Sequence, residues 1–267
     1  MNSTTQKATI AKAQVFANSL RNSLMSDLIS EWKLDAKSVS GPPYTTTDTW
    51  GTNTGTLMDV DNACSFSGTL KCPQLATNCP SGNCFSFDGI DDYVDLGAGA
   101  NTDLRNTSFT FSAFIKTSTA NSGRIFEWGN IIWKIDTSGK QGFMNPDGAW
   151  ISLSNTGVAD GSWHQVAVTV RRPIDVTYYI DGRADGIIPM TSTTAYTFSG
   201  SIFRIGGYNY FVNGSIDDVR LFSAAIPVYQ IQQSYFAGLN KLFAKNIINQ
   251  EDYNNRLAGL NQNTAKN

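Results

Sequence analysis

Four aspartates lie within the run CFSFDGIDDYVDLG at residues 84–97. Carboxylates at this density could bind a metal ion or exchange protons with a substrate. They could equally belong to the hydrated side of a hairpin, because Asp88-Gly89 is a favoured pair for a tight turn between two strands. The alternation of side chains after the turn distinguishes these interpretations.

The residues after Gly89 alternate between two phases. In one phase, the side chains that would face a core are those of Ile90, Asp92, Val94 and Leu96. Asp91 and Asp95 would then face solvent. An aspartate that leans inward must be paired or hydrogen-bonded, because burying a bare carboxylate is costly. We therefore interpret the run as a hairpin with a hydrated outer face.

Catalytic groups are sparse elsewhere in the chain. Glycoside hydrolysis needs two carboxyl groups that flank one bond. The three glutamates do not suggest such a pair, since Glu31 and Glu127 fall on unrelated strands and Glu251 lies in the tail. A Ser-His-Asp triad would have to use His164, the single histidine, at the start of a strand. We predict that the protein is not an enzyme.

The four cysteines, Cys64, Cys72, Cys79 and Cys84, all fall within 21 residues. They allow three disulfide connectivities. A zinc site is the rival interpretation, but no Cys-x-x-Cys occurs and the single histidine is distant in sequence. The spacing favours two local disulfides, Cys64–Cys72 and Cys79–Cys84, and hence an oxidising, extracellular compartment.

The composition excludes some classes of binding partner. Charged residues make up 16% of the chain and the net charge is −2, so nothing attracts nucleic acid phosphates. No apolar stretch approaches the roughly 20 residues that span a bilayer. We expect any membrane segment of the full-length protein to precede residue 1. Hydrophobic residues make up 41%, which is enough for a substantial core.

Three patterns of hydrophobic spacing divide the chain. Apolar residues at three- and four-residue steps predict an amphipathic helix over residues 1–28. Alternating segments with no helical pattern between them predict an antiparallel jelly-roll sandwich over residues 29–225. A helical period returns after Pro227, so residues 226–267 are predicted to form a helical tail. The fold class is thus mainly β with helices at both ends.

The middle part resembles the laminin-G-like, concanavalin-A-like jelly rolls across residues 29–225. The resemblance is carried, in this order, by LISEWKLD, FSFDGIDDYVDLG, FTFSAFIKTS, GSWHQVAVTV, TYYIDGRADG and FRIGGYNYFVNGSIDDVRLF. It implies two curved antiparallel sheets that face each other. Members of this family chiefly bind glycans or proteins, often with calcium, and the resemblance implies a structural role for His164.

The two ends resemble other families. NSTTQKATIAKAQVFANSLRNSLMSDLISEWKLD is similar to the distal half of the N-terminal helix of type IV pilins and pseudopilins. That resemblance implies a helix that packs against other subunits in the core of a filament. The tail YFAGLNKLFAKNIINQEDYNNRL resembles the short two-helix, SHOCT-like segments at the C-termini of many bacterial proteins.

A calcium site follows from the jelly-roll resemblance. In such a fold the first and last strands are antiparallel neighbours, which would bring Asp35 close to Asp217 and Asp218. The loop DTWGTNTG would add Asp48 and Asn53. Calcium prefers six to eight oxygen ligands from carboxylates, amides and carbonyls, and these residues supply them.

Aromatic residues in turn-rich segments are the candidates for ligand binding. Glycan sites combine aromatic faces with fixed polar groups. NPDGAW and GYNYFVNG are expected at the rim of the sandwich, so we predict a ligand site at Trp150, Tyr208 and Tyr210.

These features predict a non-enzymatic subunit of a type IV pilus-like surface filament. Its N-terminal helix would contact other subunits, and its jelly-roll head would bind a host-surface glycan or protein. The alternative is a secreted, calcium-dependent, lectin-like carbohydrate-binding module. A glycoside hydrolase ranks third.

Overall fold

A computed structural model describes residues 26–35, 43–60, 62–64, 72–98, 104–144, 147–190, 195 and 203–261. The helix predicted over residues 1–28 falls outside this part of the chain except at its last residues. There Leu28 begins the first strand, as the segment LISEWKLD predicts.

The described residues form sixteen strands and two helices. The strands are β1 (Leu28–Trp32), β2 (Thr45–Thr46), β3 (Gly55–Asp59), β4 (Asn62–Ala63), β5 (Gln74–Ala76), β6 (Cys84–Asp88), β7 (Asp92–Asp95), β8 (Phe109–Lys116), β9 (Arg124–Trp128), β10 (Ile131–Ile135), β11 (Gln141–Phe143), β12 (Trp163–Arg171), β13 (Asp175–Ile180), β14 (Arg183–Pro189), β15 (Phe203–Ile205) and β16 (Asn213–Phe222). The helices are α1 (Val228–Ala244) and α2 (Gln250–Asn261).

The strands pair into two antiparallel sheets, each with eight strands in the described part of the chain. Sheet A has the order β14-β13-β12-β8-β16-β6-β5, and β1 also pairs with β16. Sheet B has the order β11-β10-β9-β15-β7-β3-β2, and β4 pairs with β3. The predicted mainly β sandwich of two facing sheets is confirmed, as is the helical pair at its C-terminal end.

Alternating side chains build the core between the sheets. In β8, Phe109, Phe111 and Ile115 are buried within the main hydrophobic cluster, as the period of two predicts. Sheet B contributes Phe126 and Phe203, whose ring centroids lie 4.3 Å apart. Burying each such ring contributes about 2 kcal/mol, so this layer holds the two sheets together.

The first and last strands are neighbours, as the jelly-roll resemblance implies. β1 runs antiparallel to β16, with Trp32 opposite Val219. Trp32 is fully buried, which fixes this end of the sandwich. The pairing brings the segment after β1 close to the middle of β16.

The acidic run at residues 84–97 does not form a hairpin, so that prediction is wrong. β6 pairs with β16 in sheet A, whereas β7 pairs with β3 in sheet B. The turn at Gly89, whose φ is 82°, therefore carries the chain from one sheet to the other. Ile90 lies in this connection and is 71% exposed, which contradicts its predicted place in the core.

Helix α1 covers the outer face of sheet A. Pro227 precedes the helix, and the residues Tyr235, Leu239 and Leu242 pack with Trp163 and Phe114 of the sheet. Gly238 is buried at the point of closest approach, where an added Cβ would lie 2.1 Å from Phe114 Cζ. Glycine at this position allows the helix to lie directly on the sheet.

The substitution Gly238→Ala tests this packing. Alanine in a helix interior is ordinarily about 1 kcal/mol more favourable than glycine. Here we expect a loss of about 1–3 kcal/mol in the free energy of unfolding, because the methyl group overlaps the Phe114 ring. Gly259→Ala in α2 is the control, since its Cβ would meet only the flexible end of Arg183 at 3.1 Å. Urea denaturation measures the free energy of unfolding of both variants, and an increase for both would contradict the described packing.

The structure joins Cys64 to Cys72 and Cys79 to Cys84, the local pairing that the spacing favours. The second disulfide closes a short loop that lies against α1. Lys245 of the helix C-terminus donates to the carbonyl oxygens of Cys79 and Gly82, at 3.0 and 2.7 Å. The loop therefore connects the edge of sheet A to the helical pair.

Candidate functional site

Three of the predicted calcium ligands form an electrostatically coupled cluster beside the small disulfide loop. Asp217 is 0% exposed and accepts a hydrogen bond from the Ser81 backbone N–H at 2.8 Å. Asp218 is also buried, and its φ of 48° marks a bulge in β16. The bulge places Asp217 and Asp218 consecutively between Ile216 and Val219, which both pack in the core, so neither aspartate takes the core phase of the strand. Asp35 lies against Gly82 in the same loop.

Each carboxylate of this Asp35–Asp217–Asp218 cluster has an unused oxygen. The Oδ1 atoms of all three residues are buried without a hydrogen-bond partner. Burial, and next the charge of Asp218, raises the pKa of Asp217 to about 8. Burial also raises the pKa of Asp35, with a further contribution from Asp218. Buried carboxylates in this state are stabilised by a proton or by a cation.

The other two predicted calcium ligands have a different role. The Asp48 carboxylate accepts hydrogen bonds from four backbone N–H groups, those of Glu31, Trp50, Gly51 and Asn53. Burial opposes ionisation of Asp48, but these donors outweigh it and lower its pKa. Asn53 donates to Ser30 Oγ and accepts from the Trp32 indole. Asp48 and Asn53 thus organise a loop beside β1.

A second acidic group lies where the chain changes sheets. One carboxylate oxygen each of Asp88, Asp91 and Asp92 lies within 4.8 Å of the other two. Asp92 Oδ2 accepts the Asp88 backbone N–H at 3.0 Å, which meets the expectation that an inward aspartate is hydrogen-bonded. Burial, followed by the charges of Asp88 and Asp91, raises the pKa of Asp92 to about 7.

The residues considered for catalysis are engaged in structural contacts. Glu31 of sheet A pairs with Arg220 at 2.8 Å, and Glu127 of sheet B pairs with Arg124 at 2.8 Å. His164 lies between Asp181 and Asp160, at 2.8 and 3.2 Å. Burial lowers the pKa of His164, but the two carboxylates outweigh it, and the pKa is raised. Sequence reasoning missed both partners, of which Asp181 begins an Asp-Gly turn.

The three aromatic residues predicted to bind ligand each lie against a cation from sheet B. Lys134 Nζ of β10 is 4.0 Å from the Trp150 ring centroid. Arg124 Cζ of β9 is 4.7 Å from the Tyr210 ring, and Arg204 Cζ of β15 is 4.4 Å from the Tyr208 ring. Such contacts orient a ring, and Tyr208 is also held by ring contacts with Tyr93 and Phe211, at centroid distances of 5.8 and 6.4 Å.

These contacts form one continuous surface, which we call the aromatic–cation patch. Its members are Arg124, Glu127, Lys134, Trp150, Arg204, Tyr208 and Tyr210. Arg124 lies directly opposite Lys134 across two strands, and Arg204 lies directly opposite Glu127. Trp150 and Tyr210 are exposed, at 42% and 51%. No helix among the described residues covers this side of the sandwich, whereas α1 covers sheet A.

A two-sheet antiparallel sandwich with an exposed surface of aromatic and polar side chains is typical of lectin-like domains. The family model described as the Concanavalin A-like lectin/glucanases superfamily matches residues 88–232. The chain belongs to this superfamily. The laminin-G-like jelly-roll prediction is therefore confirmed. Among curated proteins, no sequence matches the chain.

Solved structures of bacterial toxins share the fold. The binding domain of Paraclostridial Mosquitocidal Protein 1 is 12% identical, with a TM-score of 0.60, and the match covers 81% of this chain and 53% of that one. The ligand-binding domain of botulinum neurotoxin serotype D in complex with N-acetylneuraminic acid is 14% identical, with a TM-score of 0.58, and the match covers 82% and 52%. Botulinum neurotoxin type C, whose cell entry depends on interaction with two ganglioside molecules, is 17% identical, with a TM-score of 0.57 and coverage of 84% and 53%.

This chain therefore spans about half the length of the toxin chains that it matches. No helix in the described ranges is both long and apolar enough to cross a membrane. The two disulfides and the lectin-like fold are consistent with an extracellular protein.

Proposed function

We propose that the protein is a non-enzymatic module that binds glycans through the aromatic–cation patch. One observation carries this proposal: Trp150 comes from one turn and Tyr208 and Tyr210 come from another, yet each ring is held against a cation on the same sheet. Sugar rings stack on aromatic faces, and a ring that is already oriented loses less conformational entropy on binding.

The toxin domains with the same fold support this class of function. One is in complex with N-acetylneuraminic acid, and another belongs to a toxin that interacts with gangliosides. At 12–17% identity these proteins share the fold with this chain, so their ligands suggest probes and no more. The engagement of Glu31 and Glu127 by separate arginines, on different sheets, favours binding over hydrolysis.

A glycan array tests the proposal. We expect the wild type to retain a defined set of oligosaccharides and Trp150→Ala or Tyr208→Ala to weaken their binding about tenfold, or about 1.4 kcal/mol. Tyr229→Ala is the control, because Tyr229 is 44% exposed on α1, the helix that covers the opposite sheet. If no oligosaccharide binds, or if all three variants bind like the wild type, the patch is not a glycan site.

We infer that calcium binds the Asp35–Asp217–Asp218 cluster, although among the described acidic groups it is Asp88, Asp91 and Asp92 whose carboxylate oxygens come within 4.8 Å of one another. Its three unused carboxylate oxygens are hard donors of the type that calcium prefers, and the Ser81–Gly82 backbone lies beside them. The ion would be structural, because it would connect the end of β1, the bulge of β16 and the disulfide loop.

The filament role remains a prediction from residues 1–28. In that proposal the chain divides into a pilin-like helix at 1–28, a jelly-roll head at 29–225 and a helical tail at 226–267, and the helix contacts other subunits. The upstream coding sequence tests it: an apolar segment with a prepilin cleavage site supports a pilin-like subunit. A standard signal peptide there would instead support a secreted lectin-like module.

A further inference from the structure

Arg204 lies at the centre of the aromatic–cation patch but has no charged partner. In the pairing of β15 it stands opposite Asp95 of β7 and opposite Glu127 of β9. One oxygen of each carboxylate is engaged elsewhere, because Asp95 Oδ1 accepts the Gly97 backbone N–H at 2.7 Å and Glu127 Oε1 pairs with Arg124 at 2.8 Å, while Glu127 Oε2 is buried without a hydrogen-bond partner. Within the described residues, Arg204 forms no ion pair.

Two tyrosine rings hold the Arg204 guanidinium in place. Its Cζ lies 4.4 Å from the Tyr208 ring centroid and 5.5 Å from that of Tyr93. Its Nε is buried without a hydrogen-bond partner. A guanidinium that is oriented by aromatic contacts and has unused donors matches the geometry of a planar anion.

Two further cations lie in the same patch. Lys134 lies opposite Arg124 on adjacent strands, a like-charge pair whose repulsion is offset in part by Glu127, which pairs with Arg124, and by Asp136. Burial, together with the charge of Arg124, lowers the pKa of Lys134 although Asp136 opposes this. An anionic group bound at the patch would relieve this repulsion as well as satisfy Arg204.

We propose that Arg204 is the anchor for the acidic group of an anionic sugar, a carboxylate or a sulfate. This inference rests on the proposed glycan-binding function and specifies its ligand class. Stacking on Trp150 and Tyr210, the exposed rings of the patch, would hold the sugar rings, and Arg204 would select chains that carry the negative group.

Matched ligand pairs distinguish glycan binding by the patch from the selection of acidic glycans by Arg204. The carboxylate arm compares 3′-sialyllactose with lactose, and the sulfate arm compares 6-sulfo-N-acetyllactosamine with N-acetyllactosamine, by calorimetric titration of the whole chain. We expect the acidic member of one pair to bind at least tenfold more tightly. Equal binding within both pairs would overturn the role of Arg204 and leave glycan binding intact. Absence of binding to all four ligands would overturn both proposals.

Variants then assign the preference to Arg204. Arg204→Gln should abolish the preference, so that the acidic ligand and its neutral partner bind equally, and urea denaturation checks that the variant is folded. Arg204→Lys keeps the charge but not the fork of donors, so it should restore only part of the preference. Arg183→Gln, on sheet A near α2, is the control. A preference that survives in Arg204→Gln contradicts the proposal.

Discussion

Replacing Arg220 with methionine is expected to lower the free energy of unfolding by about 3 kcal/mol at pH 7. Arg220 contacts three groups on three elements: Nε pairs with Glu31 Oε1 at 2.8 Å, Nη2 lies 3.5 Å from Asp218 Oδ2, and Nη1 donates to Ser234 Oγ at 2.7 Å. Methionine would leave Asp218 without its cation and Glu31 with only Lys33, whose Nζ lies 3.8 Å from Oε2, beside an already acidic cluster.

The pH dependence of this loss has a definite sign. Burial raises the pKa of Glu31, but the charge and hydrogen bond of Arg220 outweigh it, and the net pKa is lowered. A lowered carboxylate pKa stabilises the fold above the pKa of the unfolded chain, and this stabilisation is lost as the pH falls through the folded value. The difference between Arg220→Met and wild type should therefore be largest near pH 7 and shrink toward pH 3.

Two further variants complete the Arg220 experiment, which is read by urea denaturation in EDTA. Arg220→Lys keeps the charge but cannot reach all three partners, so its stability should lie between wild type and Arg220→Met. Arg171→Met removes an arginine that pairs with Asp175 at an exposed position, and should change little. Equal losses of stability in Arg171→Met and Arg220→Met would show that the buried network does not contribute to the free energy of unfolding.

The sequence predicts the sandwich because apolar side chains that face the core recur with a period of two along the strands. Phe109, Phe111 and Ile115 illustrate this, and all three lie in the core. The same period does not reveal which strands pair. For that reason the run at 84–97 was interpreted as a hairpin, although β6 and β7 belong to different sheets. A turn signal such as Asp88-Gly89 reverses the chain without choosing its next partner.

The candidate sites were predictable to different degrees. Adjacency of the first and last strands follows from the fold class, so the proximity of Asp35 to Asp217 and Asp218 could be expected. The structural role of Asp48 could not be predicted, because four backbone donors converge on its carboxylate only after the loop folds. The isolation of Arg204 depends on the hydrogen bonds of Asp95 and Glu127, which lie more than seventy residues away in sequence.

Asp217→Asn is expected to change stability in opposite directions with and without calcium. In EDTA the raised pKa of Asp217, about 8, means that the folded chain holds a proton that the unfolded chain releases above about pH 4. Wild-type stability should then fall as the pH rises from about 4 to 8. Asparagine has no charge to bury and can still accept the Ser81 N–H, so the variant should be the more stable protein at pH 8.

Calcium should reverse that order. For the wild type, calcium at a hundredfold excess over its dissociation constant adds about 2.7 kcal/mol to the free energy of unfolding, and EDTA removes this reversibly. Asp217→Asn lacks one of the three anionic ligands and should gain far less. Asp147→Asn, an equal charge change in an exposed turn, should respond to calcium like the wild type. Scanning calorimetry at pH 8 measures all three proteins, and a wild-type melting temperature that does not change with excess calcium would exclude the ion. The buried carboxylates would then be stabilised by protons, so the fall in stability toward pH 8 would persist in calcium.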